Sequence, residues 1–171
     1  ATIGTTLQIL KVLADERGYD AKIALSENDE IIAAIVSCMF SYPDSLVIQG
    51  TACDIIRTLA VNNLKRSQIC HQGGTTRIID SLRRMKTDSY FVYKGFMALE
   101  NLVSGADVDV LTANDTPKVV LTAIEANPQS INVQIHGAEV IFHLSSRHDS
   151  FKEALVRLGA ARLISEAMTR F

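Results

Sequence analysis

His136, Glu139 and His143 are the side chains whose types and spacing come nearest to a reactive set. Seven residues apart, the two histidines share one helix face with the carboxylate between them, an arrangement compatible with a divalent ion. The order lacks the HExxH pattern, in which histidines four apart grip zinc, so no metal or other cofactor is expected. Cys70-His71 places a thiol beside a base, but adjacent helical residues point to different faces. Gly73-Gly74 lacks the Lys-Ser/Thr that completes a phosphate loop, and reads as a corner. No catalytic constellation emerges, and the chain reads as non-catalytic. Asn101 offers a different chemistry: its amide donates and accepts at once, which suits an extended peptide backbone or a neighbouring helix end equally well. Residues 64–103 hold seven basic side chains against three acidic, among them Lys65, Arg66, Arg77, Arg83, Arg84 and Lys86. Such an excess could attract an acidic peptide, phosphate or nucleic acid. These residues fall mainly at helix ends, so a solvated surface is expected and nucleic acid is not.

The elements that must position these groups are set by a repeat. Gln49-Gly-Thr-Ala52-Cys-Asp-Ile-Ile56-Arg-Thr-Leu59 returns as Gly95-Phe-Met-Ala-Leu99-Glu-Asn-Leu102 and as Gly137-Ala-Glu-Val-Ile141-Phe-His-Leu144. Each copy has a small residue, an apolar residue four later and a leucine three beyond that. A fainter copy holds Thr6, Leu10 and Leu13. The leucines Leu13, Leu59, Leu102 and Leu144 lie 46, 43 and 42 residues apart, within the roughly 40–47 residues of helical solenoid repeats.

Turn signals divide each period into a short, a medium and a long helix. The first long helix is expected near 3–16, stopped by Arg17-Gly18, followed by a short helix at 21–26 and a medium one at 30–40. Tyr42-Pro43-Asp44 breaks it, and Asp44 or Ser45 can cap a long helix near 44–61. The next unit runs through 65–71, the Gly73-Gly74 corner, 76–85 and a long helix near 88–103. The third has 108–113, the Asn114-Asp115 corner, a helix opened by Thr116-Pro117 and ended by Asn127-Pro128, and a long helix near 130–145. The last has 150–158, the Gly159 corner and 161–171.

Composition agrees. With 47% hydrophobic and 21% charged residues, no tryptophan and three prolines, the chain reads as ordered, soluble and helix-rich. Apolar runs such as 31–40 are too short to cross a bilayer, and the N-terminus lacks the order of a secretory signal. No membrane association is expected, and the cytoplasm, or else the nucleus, is the expected compartment. Cys38, Cys53 and Cys70 have no CxxC spacing and read as small buried hydrophobes.

Taken together, these residues resemble the armadillo repeat family. Ile69-Cys-His-Gln-Gly73-Gly74 with Ile78, Ile79 and Leu82 is similar to that family's first and second helices. Ala98-Leu99-Glu100-Asn101-Leu102 is similar to the end of its third, and Ala154-Leu-Val-Arg-Leu-Gly159-Ala160 to its corner. The resemblance implies an all-α fold, a right-handed α-solenoid, built here from repeats 19–62, 63–105 and 106–146 with partial repeats 1–18 and 147–171. Both ends read as cut from a longer protein. It also implies a concave groove, lined by the long helices, that binds an extended peptide of a protein partner. The family's backbone-binding asparagine falls at Val12, Thr58, Asn101 and His143, where only Asn101 matches. One turn earlier, where importin-alpha-type receptors carry tryptophan, stand Gln8, Asp54, Met97 and Glu139, so a basic nuclear-localisation signal is not the expected ligand. Asp54, Met97 and Glu139, with Thr51, Lys94 and His136 a turn away, are expected to face the groove. The alternative expectation is a structural spacer or a self-associating element that stacks through its terminal repeats without a peptide ligand.

Overall fold

The computed structural model describes residues 29–106 and 108–171, and all regular structure among them is helical. Ten helices follow one another: α1 Asp29–Ser41, α2 Leu46–Leu59, α3 Asn63–His71, α4 Gly74–Arg84, α5 Ser89–Val103, α6 Val108–Ala113, α7 Thr116–Glu125, α8 Ile131–Arg147, α9 Asp149–Arg157 and α10 Ala160–Arg170. The helices expected near 3–16 and 21–26 lie outside the described residues. No helix among the described residues is long and apolar enough to cross a membrane.

The rhythm of short, medium and long helices returns with its local causes. Ser45, Asp88 and Ser130 precede the long helices α2, α5 and α8, and each side chain accepts a hydrogen bond from the backbone N–H three residues on. That contact satisfies one of the donors every helix start leaves open. Each corner from short to medium helix turns on one residue with positive φ, Gly73 at 83°, Asp115 at 48° and Gly159 at 85°. Glycine enters this region freely, and aspartate is among the few other residues that visit it.

Packing follows the repeat as well. The long helix α5 lies between α2 and α8, while the medium helices α1, α4, α7 and α10 contact one another in that order. The framework residues Ile56, Leu99 and Ile141 and the leucines Leu59, Leu102 and Leu144 are all buried in the hydrophobic core. The small-residue position is where a long helix crosses the medium helix of its own unit. A Cβ on Gly137 would lie 2.5 Å from Ile124 Cγ1, and one on Gly95 2.7 Å from Leu82 Cδ2. Close approach there offsets the roughly 1 kcal/mol that glycine costs inside a helix.

Two glutamines fasten the rows. Gln49 Nε2 donates to Met39 O and Tyr42 O, both at 2.8 Å. Gln134 Nε2 donates in the same way to Ile124 O at 3.1 Å and Asn127 O at 3.0 Å. In both units the amide adds a donor to carbonyls at the end of the preceding medium helix and in the turn after it, where helix ends leave acceptors short of partners. Val92 holds this place in α5. There Asn127 Nδ2 reaches across instead, to Lys86 O at 2.6 Å in the turn after α4.

The cysteines are less uniform than their reading as buried hydrophobes. Only Cys53 is fully buried; Cys38 and Cys70 are partly exposed, and all three are free thiols. Burial, seconded by the neighbouring Asp54 charge, pushes the Cys53 thiol up to about 12. Desolvation raises the other two as well.

Candidate functional site

The long helices bring most of the expected groove residues together, two helices at a time. Lys94 on α5 donates to Asp54 Oδ2 on α2 at 2.8 Å, with side chains only 10% and 17% exposed. Its ammonium also lies 4.5 Å from the centre of the Tyr90 ring. Burial alone would lower the Lys94 pKa, but the contacts with Asp54 and Tyr90 outweigh it and raise the value. Thr51 is buried beside this pair, and Thr58 donates through its hydroxyl to Asp54 O one turn back on its own helix.

One helix further on, His136 Nδ1 lies 2.8 Å from Glu100 Oε1 on α5 and 2.8 Å from Glu139 Oε2 on its own helix. The Tyr93 ring packs against the imidazole at 5.3 Å between centroids. Desolvation between α5 and α8 pushes the Glu100 carboxyl up to about 7, against the opposing pull of His136. His143 does not join this group. It is exposed, and its ring meets Phe142 edge-on at 5.5 Å.

Asn101 Nδ2 donates to Arg57 O at 3.0 Å, in the last turn of α2. Of its two chemistries, the helix-end contact is therefore made within the chain. Met97 is half-buried on the same helix. Glu100 was missed by sequence reasoning, because its partner His136 is 36 residues away and no local spacing encodes a contact between helices.

Two clefts flank this face. At the N-terminal ends of α2 and α5, a cleft of about 310 Å³ is lined by Leu46, Val47, Gly50, Thr51, Tyr90 and Lys94 among others. Its rim is apolar, with Val47 and Tyr90 both about two-thirds exposed, and the Lys94 beside it is already paired with Asp54. The second cleft, about 260 Å³ between α8 and α10, is almost wholly apolar and includes Ile131, Ile135, Ala138, Ile164, Ala167 and Met168.

Much of the basic excess is engaged locally. Arg83 binds Asp80 at 2.7 Å and Asn114 O at 2.8 Å. Arg84 approaches Asp44 at 3.5 Å, Arg77 covers the Phe40 ring, and Arg66 reaches Ala60 O, Asn63 and Ser104. Compared with protein-family models, curated proteins and solved structures, the chain matches none.

Proposed function

We propose that this chain is a non-catalytic, armadillo-type scaffold whose long helices curve as a right-handed α-solenoid and bind an extended segment of a protein partner. The observation that carries the reading is the lateral order of α2, α5 and α8, with α5 packed against both of the others. Lys94–Asp54 and His136–Glu100 tie those helices together across the same face. Next to the first tie, the cleft presents the exposed apolar side chains of Leu46, Val47 and Tyr90, a surface suited to an apolar or aromatic side chain of a peptide.

The reading is tested with a peptide selected from a random display library against the purified chain. Tyr90→Ala, at an exposed aromatic anchor, is expected to weaken its binding by about tenfold or more without unfolding the protein. Unchanged affinity in that variant and in Met97→Glu would remove the groove from consideration.

A second reading, self-assembly without a peptide ligand, is favoured by the apolar cleft between α8 and α10. Counted from the corner residues Gly73, Asp115 and Gly159, Met168 occupies the place of Leu82 and Ile124 in the preceding medium helices. Those two are buried under the glycines of α5 and α8, whereas Met168 is 78% exposed. The cleft thus has the shape that a further long helix fills in each earlier unit, and a helix of a second copy is the occupant this reading names.

A further inference from the structure

We propose that Glu100, His136 and Glu139 form a binding site for one divalent first-row transition-metal ion, with zinc as the reference ligand. Three donor atoms, one imidazole nitrogen and one oxygen from each carboxylate, lie within 4.8 Å of one another. Both carboxylates stand 2.8 Å from the same nitrogen, His136 Nδ1. One N–H makes one well-aligned hydrogen bond, so a proton on Nδ1 satisfies one carboxylate fully and the other poorly. A divalent cation at the same place serves both carboxylates and takes the nitrogen lone pair as well.

The frame is suited to holding an ion. His136 and Glu139 are three apart on α8 and form a clip on one helix face. Glu100 closes it from α5, with its side chain only 18% exposed, and the Tyr93 ring limits rotation of the imidazole. Glu139 is half-exposed, and its carboxylate has room to turn out of the hydrogen bond with Nδ1 and take up the usual zinc distance of about 2.0–2.2 Å. The donor set determines the class of ion. Calcium and magnesium take six or more oxygens, whereas one imidazole with two carboxylates suits zinc, cobalt or nickel. Three protein donors leave a coordination position for water or for a side chain of a partner. His143, which the local spacing would have enlisted, is not a donor here.

The test uses the full chain after chelator treatment. Zinc binding is measured by titration calorimetry, cobalt binding by its visible absorption, and calcium and magnesium serve as controls. One zinc per chain is expected, with cobalt bound competitively and the alkaline-earth ions not bound. Glu139→Gln, at a half-exposed position that leaves the fold intact, and Glu100→Gln should each weaken zinc by at least about tenfold, since even outer-shell changes at metal sites commonly cost that much. His143→Ala should leave binding unchanged. No saturable zinc uptake by the folded protein, uptake that survives both glutamine substitutions, or equal uptake of magnesium would each overturn the assignment.

Discussion

Lys94 on α5 is joined to Asp54 on α2 by a 2.8 Å ion pair that water scarcely reaches. The pair spans 40 residues of sequence and joins two long helices side by side. Its consequence is energetic as well as geometric, because a shielded ammonium that loses its carboxylate is left poorly solvated.

Asp54→Asn should therefore destabilise the fold by about 1–3 kcal/mol, and in a double-mutant cycle with Lys94→Met the two losses should fall short of additive. Denaturant unfolding of the four proteins measures this. Full additivity would mean that the two side chains do not interact.

Gly137→Ala should cost about 1–3 kcal/mol, since the added methyl meets Ile124 and the Phe96 ring at less than contact distance. Pairing it with Ile124→Val should recover part of the loss by making room. If the single variant is as stable as the parent in urea, α8 does not cross α7 this closely.

The thiols should react with Ellman's reagent in a definite order. At pH 8 the partly exposed Cys38 and Cys70 are expected to react in the native state. Cys53, buried and with its ionisation pushed up to about 12, should wait for unfolding. Fast native labelling of all three would place Cys53 at the surface.

Met168→Lys tests the assembly reading. Its side chain is exposed, so stability should change by no more than about 0.5 kcal/mol. Under that reading, concentration-dependent association seen by light scattering should disappear in the variant, because a charge would be set in an apolar cleft. Association that persists would place the contact elsewhere.

The helices were legible in the sequence because their determinants are local. Ser45 and Ser130, the Gly73 and Gly159 corners and Pro117 act within a few residues of themselves. The observed long helices accordingly keep within two residues of the expected boundaries. The small-residue positions were legible too, since a glycine inside an otherwise apolar helical pattern marks close approach. What the sequence did not display is contact between helices. Glu100 became a partner of His136, and Asn101 a partner of the Arg57 carbonyl, only through lateral packing. His143 was grouped with His136 by its period on one helix, yet the neighbouring helix supplied the further partner, Glu100. Burial likewise depends on neighbours, which is why three similar cysteines ended in different surroundings.

Hydrogen exchange with a display-selected extended peptide tests the central claim most directly. Binding along the proposed groove predicts slowed exchange in α2, α5 and α8, strongest in the halves that carry Lys94 and His136. Protection confined to α1, α4, α7 and α10, with the long helices unchanged, would contradict it.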